Sequence, residues 1–209
     1  MDPKPSENYL EDVQDYSQDF NTTRLYKLLQ QFQEVLRGKS FREAEHAKRV
    51  SVICRTIAEA MELPEDMIAE MEVVGLIHDI GKVLVPDKIL NKLSGLTVEE
   101  RKVMSRHPEI GYKILYSFIE TRKLARYVKY HHEHYDGKGY PAGLRGEEIP
   151  LQSRILTIAD AFDAMTSERV YREALTKQQA LQELRCKAGT QFDPYIVSIF
   201  LNKVIARLS

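Results

Sequence analysis

The sequence predicts an all-α protein, a compact helical bundle, and three observations predict it. Apolar residues recur at the helical period and not in alternation, capping patterns punctuate the chain, and no strand-like run is bounded by hairpin turn chemistry. At the usual helix length plus a short connection, the chain accommodates roughly seven to nine helices. No internal repeat interrupts this reading.

In chain order, residues 1–22 are acidic and polar and are expected to form a disordered tail or linker. Residues 23–40 are read as one helix, because Leu25, Leu28, Leu29, Phe32, Val35 and Leu36 share a face. That face suits either packing on the domain or a connecting, dimerising helix that follows a sensory domain. Residues 41–209 form the main domain. Val50, Ile53, Ile57 and Met61 stripe a helix over 42–61, and Pro64 starts another that runs to His78. Thr97 and Glu100 make a capping box, and Pro108 places His107 at a helix start. A helix over 124–130 ends at Gly137 and Gly139, which puts His131 and His132 in its last turn. Residues 153–167 form a helix carrying Asp160 and Asp163 one turn apart. Thr176 with Gln179, and Asp193 with Pro194, open the last two.

Composition excludes several classes of function. Thirty basic residues balance thirty-one acidic ones, leaving a net charge of −1, so no nucleic-acid polymer or anionic membrane surface is implied as a partner. The apolar runs are far too short to span a membrane, and the first residues are too polar for a signal peptide. Cys54 and Cys186 lack metal or redox spacing, which fits free thiols in a reducing compartment. Cytoplasmic localisation is the expectation.

The chemistry is expected where histidines cluster. Only six occur, yet His131, His132 and His134 fall within H-H-E-H-Y-D-G-K-G-Y-P, and His78 precedes Asp79 in L-I-H-D-I-G-K. Adjacent residues on a helix do not share a face, so packing alone does not explain the His131–His132 pair. The polar residues expected at inward-facing helix ends are His46, His78, Asp79, His107, His131, His132 and Asp160. Five imidazoles and two carboxylates without a thiolate suit divalent iron, manganese, nickel or zinc. That is too many ligands for one ion. Two ions about 3.5–4 Å apart, with Asp79 bridging, are the arrangement that serves phosphoester hydrolysis.

These motifs, in this order, resemble the HD-GYP family, the cyclic di-GMP phosphodiesterases within the HD-domain metal-dependent phosphohydrolases. L-I-H-D-I-G-K is similar to the HD signature and H-H-E-x-x-D-G-x-G-Y-P to the HD-GYP signature. The likeness extends from about Phe41 to the C-terminus through the P-D-x-I-L segment at 86–90, R-I-L-T-I-A-D-A-F-D-A-M-T at 154–166, R-V-Y-R at 169–172 and A-G-T-Q-F-D-P at 188–194. It implies a bundle of the HD-domain type in which the seven residues above ligate two divalent ions, iron or manganese first and nickel or zinc as alternatives. It implies that Asp79 and Lys82 serve catalysis and that Lys82, Gly139, Tyr140, Arg169 and Arg172 meet the substrate. Read alone, Lys82 also fits a helix-end cap, and Arg169 and Arg172 fit surface pairs with Glu168 and Glu173. Asp163 is expected to accept a hydrogen bond in support of the site, Asp136 to fix a turn, and His134 to be partly exposed.

The implied reaction is hydrolysis of cyclic di-GMP to linear pGpG, with a second cut to GMP open, by a hydroxide bridging the two ions. The alternatives are a cyclic di-GMP receptor without turnover and a hydrolase of another cyclic dinucleotide such as cyclic GMP–AMP. A homodimer, an upstream sensor domain and a diguanylate cyclase are the protein partners the resemblance allows. Relatives with three metals carry a glutamate four residues before the first ligand histidine. Here that residue is Arg42, and Glu43 is expected to substitute only by rotation of the helix start. Two ions, not three, follow.

Overall fold

Helix α2, Phe41–Ala60, is the element around which the others assemble. One face carries Val50, Ile53, Cys54 and Ile57, all buried, at the spacing that a helix needs to cover a core. The computed structural model describes residues 20–168 and 173–208. Among them the chain forms α1 (Phe20–Lys39), α2, α3 (Glu65–Ile77), α4 (Asp87–Leu90), α5 (Val98–Met104), α6 (His107–Tyr116), α7 (Arg122–Lys129), α8 (Leu151–Thr166), α9 (Lys177–Cys186) and α10 (Pro194–Ile199). No strand forms among the described residues, where the only bridge is the isolated pair Ala188 and Phe192. The all-α expectation therefore holds. The helical segments outnumber the expected count because short pieces such as the four-residue α4 interrupt the chain.

The local punctuation follows the sequence. Thr97 accepts from the Glu100 amide while Glu100 accepts from the Thr97 amide, which opens α5. Thr176 and Gln179 make the same exchange at α9. Asp193 accepts from the Tyr195 and Ile196 amides at α10. Helix α7 stops at Lys129, so His131 and His132 lie just beyond its end and not in its last turn.

Helices α2 and α3 pack closest, and Gly75 is the reason they can. A Cβ there would lie 2.6 Å from the Ser51 Cα. Met71, Val74 and Ile77 of α3 join Ile155, Leu156, Ala159 and Phe162 of α8 in one core with the α2 face. Leu28, Leu29 and Phe32 of α1 belong to the same core, Leu36 is buried beside Ala44 and Ala47, and the Gln33 amide donates to the Leu76 carbonyl. No helix among the described residues is long and apolar enough to cross a membrane.

A second close approach bears directly on the site. The 3₁₀ turn Ile80–Leu84 presses on the start of α6, and a Cβ on Gly81 would lie 2.0 Å from the His107 carbonyl oxygen and 2.6 Å from the Gly111 amide nitrogen. Both are backbone atoms with no freedom to yield. Gly81→Ala is therefore expected to lower unfolding free energy by about 2 kcal/mol or more, the scale of overpacking a filled site. Urea denaturation reads this, and an unchanged midpoint would show that the contact is slack.

Candidate metal centre

Each ligand candidate sits at a place where the backbone delivers it inward. His46 lies in the second turn of α2, His78 caps the C-terminus of α3 with Asp79 following, and His107 is the first residue of α6. His131 and His132 follow α7, and Asp160 projects from α8. The structure brings all seven together. His46, His78, Asp79, His107 and His131 are buried, and His132 and Asp160 are half-buried.

The ring orientations follow from what each Nδ1 touches. His78 Nδ1 lies 2.8 Å from the Gly75 carbonyl, His107 Nδ1 2.8 Å from that of Met104, and His131 Nδ1 2.6 Å from that of Val128. Each is the carbonyl three residues back, and a carbonyl only accepts. The proton is therefore on Nδ1, and Nε2 presents a lone pair to the interior. His46 does the same through a side chain: its Nδ1 donates to Asp163 Oδ2 at 2.6 Å. Asp163 is itself held by Arg49 at 2.6 Å, and so supports the site as expected.

The Nε2 atoms converge on acceptors. His107 Nε2 lies 3.3 Å from His131 Nε2, 3.2 Å from His132 Nε2 and 3.1 Å from Asp79 Oδ1. His46 Nε2 lies 3.0 Å from Asp160 Oδ1 and 3.7 Å from Asp79 Oδ2. His78 Nε2 is buried with no hydrogen-bond donor, and it faces Asp79 Oδ2 at 3.2 Å. Lone pairs opposed in a dry site repel unless a cation lies among them. Three groups meet the spacing of a shared ion: His46 with His78 and Asp79, His78 with His131 and Asp160, and His107 with His131 and His132. The donor set thus fits divalent metal, and Asp79 belongs to one group while its Oδ1 reaches His107 of another.

Electrostatics agree with that fit. Burial, then the neighbouring His107 and His78, push the His131 imidazole down to about 3, and burial with His131 and His107 holds His132 well below the usual range. Both are neutral at physiological pH, with a lone pair free to meet a cation. Burial disfavours the carboxylate of Asp79, yet His78 and Lys82 outweigh it and keep Asp79 ionised. His46 is the exception: burial opposes its charge, but hydrogen bonds to Asp160 and Asp163 raise it to about 9, so a cation at its Nε2 would have to displace a proton.

Lys82 reaches back to Asp79 Oδ2 at 2.6 Å and also to Glu43 Oε2 at 2.7 Å. A cleft of about 340 Å³ opens here, lined by Arg42, Glu43, His46, Lys82, Ile89, Leu90, Lys92, Met104, His107, His132, Tyr140 and Asp160 among others. Tyr140 packs its ring 5.0 Å from that of His132. Gly139 lies against the 132–134 backbone, where a Cβ would be 2.2 Å from the His134 amide nitrogen. Asp136 accepts from the Lys138 amide at 3.1 Å and closes the turn between them. Arg169 and Arg172 lie outside the described residues.

Two glutamates have roles that the sequence reading did not give them. Glu43, considered there only as a substitute ligand, is buried in the cleft wall beside Lys82 and belongs to none of the groups spaced to share an ion among the described residues. Glu133 is 1% exposed and accepts from the amides of Ala142 at 2.6 Å, Gly143 at 3.1 Å and Leu144 at 3.1 Å. Its place between the His131–His132 pair and the G-Y-P turn was the only signal available.

A helical bundle that gathers five imidazoles and two carboxylates with inward lone pairs offers a donor set able to hold divalent metal. The profile described as HD domain matches residues 30–196, and the chain belongs to that family. A cyclic di-GMP phosphodiesterase response regulator of Xanthomonas campestris is 43% identical over 158 residues, covering 74% of this chain and 41% of that protein. A cyclic di-GMP phosphodiesterase of Thermotoga maritima is 34% identical over 200 residues, covering 95% of this chain and 52% of that protein. A 3′3′-cGAMP-specific phosphodiesterase of Vibrio cholerae is 34% identical over 179 residues, covering 84% and 34%. The chain thus spans between about a third and a half of these relatives' lengths. Two solved structures share the fold at a TM-score of 0.63. They are an HDG"Y"P protein from Bdellovibrio bacteriovorus, 17% identical over 92% of this chain and 66% of that one, and the HD domain of a Listeria monocytogenes phosphodiesterase in complex with cyclic-di-AMP, 18% identical over 85% and 94%.

Glu133 generates a test of how the cleft-edge loop is held. Glu133→Gln keeps the shape but removes the charge that three amides share, and is expected to cost about 2 kcal/mol. Chemical denaturation measures it, and a change under about 0.5 kcal/mol, the range of neutral surface substitutions, would deny the anchor.

Proposed function

We propose that the protein is a metal-dependent phosphodiesterase that hydrolyses cyclic di-GMP to linear pGpG. The observation that carries this reading is the convergence of seven N/O donors, of which His46, His107, His132 and Asp160 line one cleft together with Lys82. The names of the relatives support it, as does the retention of the full ligand set together with the G-Y-P turn.

His46, His78, Asp79, His107, His131, His132 and Asp160 would hold divalent ions, iron or manganese first. Such ions supply Lewis acidity at phosphate oxygens and a water of lowered pKa. The protein's own groups do the remaining work. Burial opposes the charge on Lys82, but Asp79 and Glu43 raise its pKa, so it stays an ammonium that offsets charge growing on the reacting phosphate. Tyr140 presents a ring to the sugar or base, and Arg169 and Arg172 grip phosphate through bidentate forks. Water's oxygen ends on phosphorus, and a proton ends on the released ribose 3′ oxygen.

Incubation of anaerobically purified protein with cyclic di-GMP under Fe²⁺, Mn²⁺, Ni²⁺ or Zn²⁺ is expected to yield pGpG on chromatography. Preferential cleavage of cyclic GMP–AMP would favour the second substrate that the Vibrio cholerae relatives bring in. Binding without turnover under every metal would leave a receptor. The double variant Arg169→Ala with Arg172→Ala is expected to raise KM about tenfold at unchanged metal content, because these groups touch substrate and not the ions. Unaltered kinetics would return both to surface pairs.

We propose further that the centre holds two ions. Glu43 is the one additional carboxylate at hand among the cleft residues near His46, and Arg42 and Lys82 already engage its two oxygens. Metal analysis with element-specific anomalous scattering is expected to find two ions per chain, both reduced in Asp79→Ala because Asp79 would help to hold both. A third fully occupied site beside Glu43, or full metal content with turnover in Asp79→Ala, would contradict this.

A further inference from the structure

Glu43 does more than lie near the centre. Its Oε2 accepts from Lys82 at 2.7 Å, and its Oε1 accepts from Arg42 Nη2 at 3.0 Å and Nε at 3.3 Å. Two cations are thereby fixed on the two oxygens of one buried carboxylate, so their separation is set by that carboxylate and two hydrogen bonds. Lys82 turns inward, to Asp79 Oδ2 at 2.6 Å. Arg42 turns outward: Nη2 also donates to the Leu90 carbonyl at 3.3 Å, its side chain is 37% exposed, and Nη1 has no acceptor among the described residues. Arg42, Glu43, Lys82 and Asp79 form a row of alternating charge along the cleft wall, neutral as a whole.

We propose that Arg42 binds the second, non-reacting phosphodiester of a cyclic dinucleotide, and that Glu43 is the positioning residue that spaces it from Lys82. The inference rests on the substrate reading above. A cyclic dinucleotide carries two phosphates across one ring, and when one reaches the ligand set the other enters the same cleft still charged. Burying that anion without a partner is costly, and a guanidinium prepaired at two of its nitrogens meets it with little loss of side-chain freedom. Of the other basic residues described as lining the cleft, Lys82 is committed to the centre and Lys92 is held by Glu100 Oε2 at 2.6 Å. Arg42 is the cation whose open edge faces the incoming ring.

The test uses Mn²⁺-loaded protein and three probes: cyclic di-GMP, cyclic di-AMP and bis(p-nitrophenyl) phosphate, which has one phosphodiester. Affinity is read as KM, or as the inhibition constant against bis(p-nitrophenyl) phosphate hydrolysis where a dinucleotide binds uncut. Arg42→Met is expected to weaken both dinucleotides about tenfold, the loss of one charge-assisted hydrogen bond, while the one-phosphate probe shifts by less than about twofold. Glu43→Gln is expected to weaken the dinucleotides similarly and to lower kcat on every probe that is turned over, since it also loosens Lys82, with Glu43→Asp restoring part of both. Equal KM losses on all three probes in Arg42→Met overturn the proposal, as does a loss confined to cyclic di-GMP, which would make Arg42 a guanine contact. A change in bound metal per chain in Arg42→Met also overturns it and assigns the effect to the centre. Unmodified protein that cleaves bis(p-nitrophenyl) phosphate but is neither served nor inhibited by the dinucleotides overturns the substrate reading itself. Binding without cleavage overturns only the hydrolase reading, and the inhibition constants still judge Arg42.

Discussion

The Nδ1–carbonyl hydrogen bond is the interaction on which the centre depends. In His78, His107 and His131 the acceptor is the carbonyl three residues earlier, so the last turn of the helix preceding each histidine, α3, α5 or α7, fixes both its tautomer and its ring angle. Nothing distant is needed to orient each ring. The tertiary fold has a narrower task, which is to bring three helix ends and two mid-helix residues to one point. Gly75 and Gly81 perform it by letting backbones touch where any side chain would hold them apart.

This division explains what was legible in the sequence. Proline after His107, the adjacent His131 and His132, and the His78–Asp79 pair are local signals of helix ends carrying ligands, and the structure assembles them from those ends. The pairing of Glu43 with Lys82 and the anchoring role of Glu133 were illegible for the opposite reason. Glu43 stands in the first turn of a helix, where an acidic residue ordinarily faces solvent and favours the helix dipole. Its burial comes from Lys82, thirty-nine positions away, reaching it across the cleft. Glu133 is buried because the chain returns over it at Ala142–Leu144, which no period or cap announces. The early end of α7 belongs here too, since Glu133 and the turn above it take the backbone that a longer helix would have used.

Charge arrangement ties the same elements together. His46 is oriented by Asp163 and not by its own helix, and Asp163 is held by Arg49 of α2, one turn beyond His46. Helices α2 and α8 are therefore joined at the centre by a bridge in which each supplies part of the other's ligand geometry. Ser167, just after α8, takes a further bond from Arg49, so the helix that carries the first histidine also holds the C-terminal end of α8.

The way Glu133 holds its loop has a consequence for how the protein tolerates change. The carboxylate recognises the amides of Ala142, Gly143 and Leu144 and none of their side chains. The path of this segment beside the cleft is thus specified by main chain alone, while the groups it displays outward are left unconstrained by the anchor. Sequence drift at positions 142 and 144 can change what the segment displays without removing the anchor, provided that neither becomes proline, which would delete a donor, whereas Gly143, at φ 70°, is held by its backbone.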